Sequence, residues 1–317
     1  MNERQAQILE LVAEAYIRTA RPVASAHVAE RLGLSSATVR SEFGVLEEEG
    51  LLHQPHTSAG RVPTAEGFRR YADHHLPPQP LATGVQRHLL ERLQGLHGTA
   101  LLRVLAGLAA DLSGYAVVLE VATHDSVHAL ELHLTPLATD RVLVVAVLEG
   151  GMTRQWVVKL DPAPDEEVLD DAERTLRQLT VPLGEVPTAL RLRARQVGDE
   201  LGRTLDALAD SWPRLLPPEV ISHGFSLLCE EPEARDPAFL RRAAQRFERG
   251  AGRHATPSLG PLALSFDEDV AMIQADLAIA RRGGWLTLIG PTRMRYPAAF
   301  TVADGVRRTV ASLEPHA

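Results

Sequence analysis

Apolar residues return at helical intervals through the first twenty residues. Ile8, Leu11, Val12 and Ala15 fall on one stripe, which predicts a helix from Asn2 to Ala20. Asn2 is its candidate cap, with Gln5 placed three residues on to return the bond. Arg21-Pro22 ends it. A short amphipathic segment, Ser25 to Leu32, follows with Ser25 as the expected N-cap, and Gly33 can close it in the left-handed conformation. A further helix begins at Ser35 or Ser36, with Val39, Phe43 and Leu46 on one face and Gly50 as its stop. Leu51–Pro55 and Arg61–Pro63 then read as two short strands around the loop His56–Gly60, and Thr64 caps a helix running from Ala65 to about His75. Helix, tight turn, helix and hairpin, in that order, predict a winged helix with the loop as its wing.

Leu76-Pro-Pro-Gln-Pro80 forbids helix continuation, so residues 1–76 are expected as one domain and 77–84 as a linker. A helix from about Val85 to Leu112 carries a leucine face: Leu89, Leu93, Leu96, Leu101, Leu105 and Leu108. Strand-like runs follow at Tyr115–Ala122, His128–Leu134, Arg141–Leu148 and Thr153–Leu160, and a long helix before several strands predicts an α+β domain with an antiparallel sheet. Asp165 to about Pro213 reads as mostly helical, interrupted at Pro182 and Pro187, and another helix spans Pro237–Arg249. Val270–Ala280 suits a helix or a strand. Ala271, Ile273, Ala275, Leu277 and Ile279 alternate strictly, and Arg281-Arg-Gly-Gly284 looks like a hairpin turn before Trp285–Ile289, so both readings stay open on the residues; two strands are expected partly because of the family resemblance that the chain's motifs carry. Tyr296 to Leu313 closes the chain as a helix.

Composition narrows the class. At 317 residues about two domains are expected. Apolar content of 45% and charged content of 23% are those of a globular protein, and with 4% aromatic residues Leu, Val and Ala must build the cores. The lone Cys229 excludes an intramolecular disulfide framework, and with no signal peptide or membrane span a cytoplasmic location is expected. The net charge of −8 argues against non-specific coating of nucleic acid. Even residues 1–76 hold eight Arg against ten acids, so DNA binding there must rest on a few placed arginines and backbone amides.

The outer stripe of the second helix of the helix–turn–helix supplies such a placement. Ser36, Ala37, Arg40, Ser41 and Gly44 are small or polar with one long cation, where an ordinary surface helix would carry Glu, Lys or Gln. A smooth face with one Arg suits a major groove, where Arg donates two bonds to guanine. The candidate DNA contacts are Ser35, Ser36, Thr38, Arg40 and Ser41 on this helix, and His56, Thr57, Ser58 and Arg61 at the wing, where a cation beside the loop would meet phosphate or the minor groove.

Three stretches carry a resemblance: Arg21-Pro-Val-Ala-Ser25, Leu32-Gly-Leu-Ser-Ser-Ala-Thr-Val-Arg-Ser-Glu42 and Gly50-Leu-Leu-His-Gln-Pro-His-Thr-Ser-Ala-Gly-Arg-Val-Pro-Thr64. With Leu288-Ile-Gly-Pro-Thr-Arg-Met-Arg-Tyr296 near the other end, the chain resembles the heat-inducible transcription repressor HrcA family. That resemblance implies a homodimer binding double-stranded DNA at an inverted-repeat operator of chaperonin and DnaK-system operons, with the chaperonin as modulating partner. It also implies a GAF-like domain at 85–170 and 250–317, an inserted, mainly helical dimerisation domain at 171–249, and no enzymatic activity or cofactor. The runner-up is a regulator whose GAF-like domain senses a small molecule. A metal-dependent hydrolase is a third reading. His53/His56, His74/His75 and His124/His128/His133 are the closest histidine groups, and none has an acidic or cysteine partner at a recognised ligand spacing. Gly290-Pro-Thr-Arg-Met294 combines a turn with polar residues and is assigned a structural role.

Overall fold

The computed structural model describes residues 1–56, 59–122, 127–149, 151–160, 164–213, 218–249, 261–279 and 282–313. In chain order the elements are α1 (Glu3–Thr19), α2 (Ser25–Leu32), α3 (Ser36–Glu48), β1 (Leu52–His53), β2 (Val62–Pro63) and α4 (Ala65–His74). Then come α5 (Thr83–Leu93), α6 (Gly98–Ser113), β3 (Ala116–Val121), β4 (Ala129–Ala138), β5 (Arg141–Leu148) and β6 (Thr153–Lys159). Helices α7 (Glu166–Arg177), α8 (Val186–Ala194) and α9 (Asp199–Asp210) follow, then β7 (Glu219–His223) and α10 (Phe225–Glu230). A 3-10 turn at Pro232–Arg235, α11 (Pro237–Arg249), β8 (Leu262–Asp267), β9 (Val270–Ile279), β10 (Arg282–Pro291) and α12 (Tyr296–Leu313) complete the chain. The fold is mixed α+β.

Two compact units form. The first joins Met1–Val121 to Glu219–Ala317. Its centre is an antiparallel sheet in the order β7-β3-β10-β9-β8. One face packs on α6 and α12 through Leu102, Leu105, Val117, Leu119, Leu288, Phe300 and Val306. The opposite face packs Ala116, Val118, Met272 and Ile289 against Leu228, Phe239 and Ala243 of α10 and α11. The second unit, Ala122–Pro218, is the antiparallel sheet β4-β5-β6 with α7, α8 and α9 packed on one face through Val144, Ala146, Leu169, Leu190 and Leu205.

These units fall elsewhere than the expected domain limits. The unit expected at 171–249 and mainly helical is instead 122–218, and it contains a three-stranded sheet. The strands β4 to β6 spend their buried residues on α7–α9, which draws them into that unit, whereas α10 and α11 spend theirs on β3, β9 and β10. Residues 1–76 do not stand apart either. Ala13, Phe68, Tyr71 and Ala72 belong to the same apolar cluster as Tyr296 and Phe300. The proline-rich segment 77–84 is docked, because Leu81 lies against Gly305 of α12, where a Cβ would come within 2.1 Å of Leu81 Cδ1. A side chain at 305 would force Leu81 to shift.

The expected helix Val85–Leu112 is two helices, broken where Gly95 and Gly98 take positive φ of 76° and 56°. Its leucine face packs on the core: Leu89, Leu93 and Leu105 are essentially inaccessible, Leu101 is buried, and Leu96 and Leu108 are partly buried against the same cluster. The ambiguous 270–289 region is two strands, paired from Arg282↔Ile279 to Pro291↔Val270; Arg282, Gly283 and Gly284, expected in the turn, already belong to β10, and Ala280 and Arg281 lie outside the described residues. β7, α10 and β8 were not anticipated. β7 is a five-residue, half-exposed edge strand with little periodicity to read. No helix among the described residues is long and apolar enough to cross a membrane.

Candidate nucleic-acid interface

The reader is built by α1 to α3. Asn2 and Gln5 form the reciprocal cap expected of α1, with Gln5 N–H donating to Asn2 Oδ1 at 2.9 Å and Asn2 N–H to Gln5 Oε1 at 2.7 Å. Ile8 and Val12 then pack on Val28, Val39, Phe43 and Leu46. Gln5 Nε2 also donates to Glu42 at 3.1 Å, which ties α3 to α1 from the side away from its outer stripe. Gly33 closes α2 at φ 66°, as its sequence position required. The cap of α2 is Ala24, not Ser25: Ala24 takes the extended conformation and Ser25 is already the first helical residue, so no side chain caps that turn.

Ser35 caps α3, its hydroxyl accepting from Thr38 N–H at 3.0 Å and lying 2.8 Å from Thr38 Oγ1. Ser35 and Thr38 therefore use their hydroxyls on the helix start. Ala37, Arg40 and Ser41 are exposed, Ser36 and Gly44 half-exposed, and Val45 continues the same stripe. Around the Gly44 Cβ position nothing lies within 4 Å, so the protein itself does not demand glycine there. Arg40 donates only along its own helix, from Nε to Ser36 O at 3.3 Å, and no carboxylate among the described residues pairs with it. A long cation thus stands free on a low, uncluttered helix face.

The wing pairs Leu52↔Pro63 and His53↔Val62, and Val23 bridges Arg61 through two 2.9 Å backbone bonds. Gly60 permits that third strand: a Cβ would sit 2.2 Å from Val23 O. Arg61 is placed differently from Arg40. Its Nη2 pairs with Glu47 at 2.9 Å, its guanidinium lies 5.9 Å from the centre of the Phe43 ring, and its side chain is only 17% exposed. It braces the wing against α3. His56 is exposed at the wing, and Thr57 and Ser58 lie outside the described residues.

The structure therefore gathers Ser36, Arg40 and Ser41 on one open face, engages Ser35, Thr38 and Arg61 in local bonds, and leaves His56 at the rim. Sequence reasoning missed Val45 on the outer stripe, and the first turn of α2, which no side chain caps. Ala24 in a cap position was the available signal. Among the described residues no group of three or more His, Cys, Asp or Glu is arranged to hold a metal ion, and His124 lies outside them.

Known proteins place the chain in a family. The family profile described as HrcA protein C terminal domain matches residues 99–255. The heat-inducible transcription repressor HrcA of Parasynechococcus marenigrum (strain WH8102) is 31% identical over 97% of both chains. That of Cutibacterium acnes (strain DSM 16379 / KPA171202) is 33% identical over 98% of both. A crystal structure described only as a hypothetical protein covers 98% of both chains at 20% identity with a TM-score of 0.54, so the whole fold has been seen before. The identity runs the length of the chain, reader and both units included, and the chain belongs to the HrcA family of heat-inducible transcription repressors.

Proposed function

We propose that the protein represses transcription by inserting α3 into the major groove of an inverted-repeat operator, one reader per half-site. The observation that carries this reading is the outer face of α3, where exposed Arg40 stands unpaired among Ala37, Ser41 and Gly44. Arg40 reads a base edge, most simply guanine, and Ser36 and Ser41 border the contact. The uncapped start of α2 and His56 meet phosphate. Arg61 holds the wing at the angle the groove needs.

An inverted repeat calls for a two-fold assembly. The leucine face of residues 85–112 is spent in the core, so the spare apolar surface is sought in residues 122–218. There the sheet face opposite α7–α9 carries Leu143, Val145 and Val147 on β5, with Val157 of β6 51% exposed beside Leu143. We assign that face to the partner copy. The five-stranded unit is the GAF-like layer of the family, and a chaperonin that keeps the repressor folded sets its active fraction.

Arg40→Ala tests the reading. Against operator and scrambled DNA at several salt concentrations, it is expected to cost about 1–3 kcal/mol on the operator and to relax preference at one position per half-site. Wild-type binding by this variant would remove α3 from the groove.

A further inference from the structure

The turn Gly290-Pro-Thr-Arg-Met294 has no part in DNA contact, yet it carries one of the most engaged arginines in the molecule. Arg293 is 10% exposed. Its Nε and Nη2 donate to the two carboxylate oxygens of Glu233 at 2.7 and 2.8 Å, and Nη2 also donates to Glu231. Burial would lower its pKa, but the bonds and charges of Glu233 and Glu231 outweigh it and raise the pKa, so the cation is held firmly.

The remaining nitrogen reaches the reader. Arg293 Nη1 donates to Ile17 O, in the last turn of α1, at 3.3 Å. The N–H that would have continued the helix ladder, that of Arg21, donates to Thr19 Oγ1 instead. Arg293 thus satisfies a carbonyl left over at a helix end, at the negative pole of the helix. Two residues on, Arg295 does the same for another helix, with Nη2 donating to Ser113 O at the end of α6 at 3.3 Å. One turn caps two helices, and only one of them belongs to the reader. Around it, Tyr16, Phe68 and Tyr296 stack in sequence, with centroids 6.1 and 5.9 Å apart.

We propose that Arg293 is a positioning residue for operator reading: clamped by Glu231 and Glu233, it fixes the direction of α1, and through α1 that of α3, against the five-stranded layer. A reader held in one direction presents α3 at one angle, whereas a released one samples many and binds in proportion to its competent fraction. The proposal rests on the winged-helix reading only for that last step.

The test uses the full chain with Cys229→Ser and nitroxide labels at Glu30→Cys and Ala311→Cys, both exposed positions. With the labelled chain diluted in excess unlabelled chain, so that a dimer carries one labelled copy, pulsed electron-spin distances without DNA should give one narrow distribution. Arg293→Gln is expected to broaden or shift it, while Arg295→Gln leaves it unchanged. An unchanged distribution in Arg293→Gln, or equal broadening by both variants, overturns the clamp. Should Arg293→Gln fail to fold, Glu233→Gln decides in the same way. The labelled proteins are then titrated with a full operator and with a single half-site. Arg293→Gln should lose roughly tenfold on the full operator and little on the half-site. Equal loss on both would point to damage inside the reader and overturn the proposal. Absence of operator binding by the parent protein would instead sink the functional reading, and the distances would still decide the clamp.

Discussion

The two large antiparallel sheets of this protein use similar residues and meet opposite fates. In the five-stranded sheet every residue of β3, Ala116 to Val121, is buried, because helices cover both faces. In the three-stranded sheet, β5 alternates: Val142, Val144, Ala146 and Leu148 are at most 1% exposed, while Leu143, Val145 and Val147 are half-buried. A continuous apolar run is usually associated with parallel sheets. Here β3 is antiparallel on both sides and still reads as continuous, so the number of covered faces, rather than strand direction, writes the pattern. The alternating strand has apolar side chains on its uncovered face too, the face proposed above for the partner copy.

The comparison can be broken at several levels. Val118→Asp puts an unpaired carboxylate under α10 and α11 and is expected to cost upward of about 4 kcal/mol in urea unfolding. A folded, wild-type-like protein would mean that this face is not closed. In the other sheet, Leu148→Ala should cost about 2–5 kcal/mol, whereas Val157→Ala on its open face should stay within about 0.5 kcal/mol. Similar costs from thermal melts would erase the difference between its faces.

Within the reader the same contrast recurs on a smaller scale. Arg61→Ala removes the Glu47 pair and the Phe43 contact and should cost about 1 kcal/mol of stability. Arg40→Ala should leave stability unchanged while weakening operator binding. Equal melting temperatures for the two variants would return Arg61 to the DNA. Val145→Glu should disturb the fold little, by under about 1 kcal/mol, yet convert a dimer to a monomer in sedimentation velocity. An unaltered mass would move the interface off this face.

What was legible in the sequence is what local chemistry decides. Asn2 with Gln5, Gly33, Ser35 and Thr64 mark helix ends through bonds to residues three or four positions away, and each does so in the structure apart from the mistaken cap at Ser25. The alternation in 271–279 suited a strand without excluding a helix, because β9 is buried on both faces over its first six residues, and the family resemblance helped to decide for two strands. The wing followed from its strands and turn residues, and the matched stretches pointed to the family.

Tertiary structure alone decided the rest. Arg40 and Arg61 are the same residue type in the same stretch of chain, and only the arrival of Glu47 and Phe43 beside Arg61 separates an exposed cation without a carboxylate partner from a brace. The segment 77–84 has a linker's composition but is docked, because Gly305, more than two hundred residues later, leaves room for Leu81. The leucines of 85–112 signalled apolar surface without saying which surface would cover them, and α12 and the β3 sheet did. Unit boundaries shifted for that reason. A hydrophobic face specifies that it must be buried, while its partner is chosen by the fold from residues far along the chain.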